Sequence, residues 1–260
     1  MKKDKTMKPV SLIIGAGAGI GGNVGRRFAQ ADYHAVLCRR TNKDGLDSLV
    51  ERIKKEGKSA SGYLLNVVEA NSIEDRIAAV EADIGPIEVV VFNLGAQVGD
   101  RSLKDTSYKV FELGWRMSTF ALFRVASVVC PLMEDRGKGT ILVTSATAAV
   151  RGNKGQHSHA AAMGGRRLLC QTLNAEFGPK GIHVAHILID GAVDAPDTLG
   201  KMLGPEGFQT LRETRGMEHD GLLLPEKIAE TYFHISQQHR SAWTHELVMR
   251  AFSDTPWWNH

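Results

Sequence analysis

Along the first ninety residues two hydrophobic periods take turns. Val10-Ser11-Leu12-Ile13-Ile14 is an apolar run of strand length, and beyond Gly15-Ala16-Gly17-Ala18-Gly19-Ile20-Gly21-Gly22 the residues Val24, Phe28 and Ala29 recur at helical spacing to about Ala31. The exchange repeats: a strand over Ala35–Cys38, a helix near Leu46–Glu56, a strand over Ser59–Leu65, a helix near Ser72–Ile84 and a strand over Val89–Phe92. Strands separated by helices in this order predict a doubly wound parallel sheet covered on both faces, a three-layer α/β/α architecture. Two long helical stretches follow, near Ser107–Cys130 and Ala160–Phe177, with a strand over Thr140–Thr144 between them and another over His183–Ile189.

From Asp190 the pattern loosens through Pro196, Gly200, Gly204, Pro205, Gly207, Gly216 and Gly221, until Pro225-Glu226 opens a last helix to about Gln237. Ala242–Met249 reads as a closing strand. An irregular segment this late in a doubly wound sheet, about 195–224, is expected to be a lid over the site. Its apolar residues Met202, Leu203, Phe208, Leu222, Leu223 and Leu224 suit either a pocket wall or packing of the lid itself.

Composition narrows the class without changing the architecture. A length of 260 residues, 43% hydrophobic and 23% charged, with no internal repeat or linker, predicts one globular domain over 9–260 behind a flexible leader at 1–8. The formal charge of +3 sits largely in that leader, too short and mixed to imply nucleic acid. Six glycines between Gly15 and Gly25 interrupt the first apolar segment, so no signal peptide is read there, and no run approaches a membrane span. Cys38, Cys130 and Cys170 are widely spaced, which suits a reducing, cytoplasmic setting. His157, His159, His183 and His186 lack the Cys, Asp or Glu partners of a familiar metal site, so no metal is expected.

A strand, a glycine turn and a helix together let backbone N–H groups approach a pyrophosphate and aim a helix N-terminus at its charge. With the order of elements, Gly15-x-Gly17-x-Gly19-Ile20-Gly21 resembles the Gly-x3-Gly-x-Gly loop of the short-chain dehydrogenase/reductase family, which implies a Rossmann-type fold over essentially the whole chain. Asn93-Leu94-Gly95-Ala96 is similar to that family's Asn-x-Gly segment beside the adenine ribose. Leu65-Asn66-Val67 resembles its Asp-Val adenine contact, with Asn66 in place of Asp. Asp190-Gly191-Ala192-Val193 resembles the Pro-Gly turn next to the nicotinamide, with Asp190 where Pro is usual. The resemblance thus implies cofactor contacts from Gly15, Gly17, Gly19, Ile20, Gly21, Asn66, Val67, Asn93, Gly95, Gly191 and Val193.

The end of the second strand speaks to which dinucleotide. A carboxylate there would accept hydrogen bonds from an unphosphorylated ribose, whereas this chain has Cys38-Arg39-Arg40. Two guanidiniums and no acid favour the 2′-phosphate of NADP(H) over NAD(H), since Arg suits bidentate phosphate contacts. Solvated arginines are the alternative.

The catalytic half of the resemblance breaks down. The family relies on a Tyr with a Lys four residues later, but Tyr33, Tyr63, Tyr108 and Tyr232 are followed at that distance by Leu37, Val67, Glu112 and Ser236. The Tyr and Lys positions fall on His159 and Met163; a one-residue shift gives Ser158 and Ala162. Ser145 is the nearest hydroxyl to the family's Ser, with Ala146 in the strict position and Thr147 beyond. Ser118 falls at the helical Asn. The candidate catalytic groups are therefore Ser145, His159 and Ser118.

His159 can titrate near neutrality, but an imidazole is shorter than a phenol, and Met163 supplies neither charge nor donor. Three readings follow: an NADP(H)-dependent oxidoreductase acting on a small carbonyl or alcohol by an atypical mechanism; a noncatalytic NADP(H)-binding sensor or scaffold; and a lyase or isomerase using Asp190, Asp194 or Glu112. The small-residue face Ala161, Ala162, Gly164 and Gly165, with the aromatic tail Trp243, Phe252, Trp257 and Trp258, suits packing between subunits, and the resemblance implies a homodimer or homotetramer.

Overall fold

The computed structural model describes residues 7–95 and 101–259. Six residues of the expected leader, 1–6, and Ala96 of the Asn93–Ala96 segment lie outside the described residues. The first half follows the expected alternation: β1 (Val10–Ile14), α1 (Ile20–Gln30), β2 (His34–Arg39), α2 (Lys43–Lys55), β3 (Ala60–Leu64), α3 (Ser72–Asp83) and β4 (Ile87–Phe92). Then come α4 (Tyr108–Trp115), α5 (Ala121–Asp135), β5 (Gly139–Ala146), α6 (His157–Phe177), β6 (Ile182–Asp190), α7 (Lys201–Arg215), α8 (Pro225–Ser236) and β7 (Glu246–Arg250).

All seven strands pair in parallel, in the order β3-β2-β1-β4-β5-β6-β7. Alternate side chains of β1 show why both faces need cover. Val10, Leu12 and Ile14 join Ile73 and Ile77 of α3 and Leu122, Val125 and Val129 of α5 in one buried layer. Ile13 joins Val24 and Phe28 of α1, Leu46 and Ile53 of α2, and Ile228 and Tyr232 of α8 in the other. The sequence of strands turns back between β1 and β4, and in such sheets the crevice outside the carboxyl ends at that point is where ligands bind.

Two expectations need correction. The segment expected to be irregular is largely helical: a π-helical turn at Pro196–Gly200 runs into α7. Its glycines conceal the helix, and only Gly204, at φ 74° and ψ 168° ahead of Pro205, breaks it with a kink. The other concerns membrane length. Joined by a π-helical turn at Arg116–Phe120, the run Tyr108–Asp135 is long and apolar enough to cross a membrane by length and composition. Its apolar side chains Leu122, Val125, Val129 and Met133 are buried against the sheet, so the core accounts for that composition.

The β6–β7 edge carries a buried polar cluster. Arg167 of α6 donates from Nε (2.7 Å) and Nη2 (2.8 Å) to the Glu246 carboxylate, which also meets His186 Nδ1 at 3.0 Å. Arg167, then, holds the Glu246 carboxyl below its usual range. Burial pushes the His186 imidazole down to about 4, so it is neutral in the folded chain while the unfolded chain would protonate it near the ordinary 6.5. Stability conferred by neutral His186 is therefore complete above 6.5 and lost as pH falls from 6.5 to about 4; Glu246 adds a loss in the same direction at lower pH. The H186N variant should lose much of the pH dependence in that window, an effect of order 3 kcal/mol at its limit. Urea unfolding at a series of pH values measures it, and an unchanged pH slope would show that His186 protonates as easily folded as unfolded.

Candidate active site

Glycine loop, strand ends and the first turns of α6 enclose a cavity of about 280 Å³ at the carboxyl side of the sheet. Of the residues singled out in sequence, Gly15, Gly17, Gly19, Ile20, Gly21, Asn93, Gly95, Ser145, His159, Met163 and Val193 line it. An adjoining cavity of about 290 Å³ is lined by Arg40, Asn66 and Val67 with Leu65, Leu113 and Met117, and Leu94 and Gly95 form part of both walls. Residues dispersed over nearly 180 positions thus meet in two connected hollows. Arg39, Ser118 and Gly191 line neither.

Packing explains why the loop must be glycine-rich. Gly15 has φ 103°, and a Cβ there would lie 2.4 Å from the Asn93 carbonyl oxygen; a Cβ at Gly21 would lie 2.3 Å from that of Gly15. Asn93 holds the turn from the other side. Its backbone N–H donates to Ile14 O at 2.8 Å and its amide Nδ2 to Gly15 O at 2.9 Å. No side chain caps the first turn of α1, and that turn contains no acidic residue. Its leading N–H groups and the positive end of its dipole are left for an anion, and the open space beside Gly17 admits one, so the cradle fits a dinucleotide pyrophosphate.

Around the adjoining cavity the predicted contacts are distributed unevenly. Arg40 is exposed at its rim. Arg39 instead reaches the late segment, with Nη2 3.8 Å from Asp197 Oδ2, while its Nη1 is buried with no hydrogen-bond partner among the described residues. Asn66 Nδ2 donates to Glu69 Oε1 at 2.8 Å. Gly191, at φ 142° with its would-be Cβ 2.9 Å from Asp254 Oδ2, shapes the turn that delivers Val193 to the cavity.

The candidate catalytic groups separate clearly. Ser145 sits at the end of β5, 5% exposed, and its Oγ donates to Met163 Sδ at 3.7 Å. His159 is half-buried in the first turn of α6. Ser118 is not brought to the cavity: it lies in the π-helical turn before α5, where its hydroxyl donates to Ala162 O at 3.3 Å. The register-shifted Ser158 likewise donates to Phe111 O at 3.0 Å. The acid/base candidates of the lyase reading stay off the cavity wall, with Asp194 bound to Arg212, Asp190 Oδ2 accepting from Trp257 N, and Glu112 on the exposed side of α4. No three His, Cys, Asp or Glu side chains among the described residues converge as metal ligands.

One functional candidate escaped the sequence reading. Arg166 of α6 is 1% exposed, lines the main cavity, and donates from Nη1 to Thr144 O (2.7 Å) and from Nη2 to Leu94 O (2.9 Å). The available signal was its place three residues after Met163 and seven after His159, on one helix face.

Residues 9–198 match the sequence pattern of the short chain dehydrogenases. The chain belongs to that family. The short-chain reductase protein NovJ of Streptomyces niveus is 28% identical over 246 residues, covering 94% of this chain and 92% of that one. A short-chain dehydrogenase from Rhodopseudomonas palustris superposes with a TM-score of 0.78 at 30% identity, covering 94% of this chain and 99% of the other. An alcohol dehydrogenase from the archaeon Thermococcus sibiricus, complexed with 5-hydroxy-NADP, shares the fold at 23% identity and a TM-score of 0.79, covering 96% and 99%. The chain is accordingly a member of an oxidoreductase family built on an NAD(P)-binding Rossmann-type fold.

The Asn93 amide braces a glycine turn that Cys38 O also holds, accepting from Gly15 N at 2.9 Å and Ala16 N at 2.8 Å. Replacing Asn93 by Ala removes the bond to Gly15 O and should lower unfolding free energy by about 1 kcal/mol, with weaker dinucleotide binding. Urea denaturation and fluorescence titration test this; full stability and full affinity in N93A would remove the bracing role.

Proposed function

We propose that this protein is an NADP(H)-dependent oxidoreductase acting on a small carbonyl or alcohol without the family's usual proton donor. The observation that carries the reading is the cavity itself, in which the glycine cradle, Asn93, Ser145 and His159 share one wall. The nicotinamide, when bound, exchanges hydride with the substrate. Gly15, Gly19 and Gly21 shape the cradle, and the open end of α1 receives the pyrophosphate charge. Arg40, and Arg39 on release from Asp197, take the 2′-phosphate; two guanidiniums without a carboxylate at the end of β2 support that preference.

Among the described residues Ser145 Oγ is held by a weak sulfur acceptor alone, which a carbonyl oxygen outcompetes as a hydrogen-bond partner. His159 holds a proton on its imidazole and passes it to the substrate oxygen directly or through a water. Residues 195–224 act as the lid: Ala195 and Thr198 already line the cavity, and a Cβ at Gly19 would lie 2.8 Å from Ala195 Cβ. Exposed Phe111, Trp115, Phe123 and Leu168 support a homodimer or homotetramer, and the three buried free cysteines support a cytoplasmic setting. A second reading, an NADP(H)-binding sensor or scaffold, is favoured by Met163, which fills the Lys position with a buried thioether that meets the Ser145 hydroxyl.

Equilibrium titration with NADPH and NADH tests the cofactor half. NADPH should bind more tightly, and R39A/R40A should weaken NADPH at least about tenfold while leaving NADH nearly unchanged; equal affinities in the unaltered protein would refute the phosphate preference. A substrate screen then separates the two readings. S145A and H159A should each lower turnover by about 10²-fold, whereas turnover indifferent to both would discard the assigned roles.

A further inference from the structure

His159, Met163 and Arg166 fall at i, i+4 and i+7 of α6 and all face the cavity, which makes Arg166 the fixed charge of that wall. Its setting is unusual for an ion. Both terminal nitrogens are bound to main-chain carbonyls, Thr144 O and Leu94 O, and the guanidinium carbon sits 5.0 Å from the centre of the Phe92 ring. Nε is buried with no hydrogen-bond partner, and no carboxylate pairs with the side chain among the described residues. Burial lowers its pKa only to about 10, so the group remains a cation at neutral pH.

An unneutralised ion in a low-dielectric wall is costly to bury, and its field extends into the cavity with little screening. Two carbonyl dipoles and an aromatic face offset part of that cost without cancelling the charge. The cavity would accommodate two forms of one cofactor that differ in this respect: the oxidised nicotinamide ring is a cation and the reduced ring is neutral. A permanent positive charge in the wall repels the first and is indifferent to the second.

We infer that Arg166 is a redox-state selector: by a charge that no carboxylate among the described residues pairs, it makes the cavity bind the reduced dinucleotide in preference to the oxidised one, and so sets the protein toward reduction. The inference rests on the dinucleotide-binding reading above. It also distinguishes Arg166 from a strand tether. A residue that merely clamped the ends of β4 and β5 would affect both forms of the cofactor alike.

The experiment is a pair of dissociation constants, for NADPH and for NADP⁺, in the full-length protein and in R166K, R166Q and R166M, with cooperative thermal unfolding as the check on folding. Unaltered protein and R166K should favour NADPH by about tenfold, equivalent to about 1.4 kcal/mol. R166Q and R166M should bring the two constants within about twofold, mainly through tighter NADP⁺. A folded neutral variant that keeps the full preference overturns the inference. If neither neutral variant folds, the unaltered protein decides: a preference near tenfold supports the role and equal constants overturn it. Unaltered protein that binds neither form would overturn the dinucleotide reading, and this inference with it; binding of both without discrimination overturns the inference alone.

Discussion

The bond from the Asn93 amide to the Gly15 carbonyl joins the carboxyl ends of β1 and β4, where the strand order turns back, and the cavity is built around it. Gly15 can take its positive φ only where no side chain intrudes, and the carbonyl it turns inward accepts from Gly17 N at 3.1 Å within the loop and from the Asn93 amide on β4's extension. With that carbonyl held, Gly21 packs directly on it and α1 leaves the loop with its N-terminus over the cavity. Arg166 continues the bracing by gripping the carbonyls of Leu94 and Thr144. Two side chains thus register the ends of β1, β4 and β5 relative to one another.

The fold was legible because burial forces it to be. β1, β2 and β4 are covered on both faces, so each reads as a nearly unbroken apolar run, and the helices between them show one apolar stripe each. The same logic fails at α7, where Gly200, Gly204 and Gly207 dilute helix propensity and only Phe208 is buried. A helix that presents a single anchor to the core has no stripe to read. The surroundings of Ser118 are hidden for a related reason: a π-helical turn shifts the facing of α4 into α5, and no local signal in Arg116–Phe120 announces the extra residue.

Adjacent arginines show where sequence reasoning about a site ends. Arg166 and Arg167 are identical in type, yet Arg167 meets Glu246 at the sheet edge while Arg166 is sealed beneath the cavity with carbonyls for partners. Helical periodicity separates their faces by about 100°. It cannot say that one face is apolar enough to make a charge expensive, because that depends on Phe92 and Leu94 arriving from the end of β4 to meet Met163 on the helix. The cofactor cradle, by contrast, is legible from one short motif, although the contacts that require glycine are partly distant: Gly21 answers to Gly15, but Gly15 answers to Asn93 and Gly19 to Ala195.

Met163 and Arg166 have to be considered together. Where the resemblance leads one to expect a lysine, the chain places a thioether, and one turn further along the same face it places a cation. Charge has been kept in the wall while the mobile amine has been lost. An aliphatic residue at 166 would remove the charge and also both bonds to the Thr144 and Leu94 carbonyls, so the residue serves the fold and the cavity at once. With no carboxylate partner among the described residues, Arg166 braces the strand ends and at the same time sets a positive charge against the cavity that Met163 does not supply.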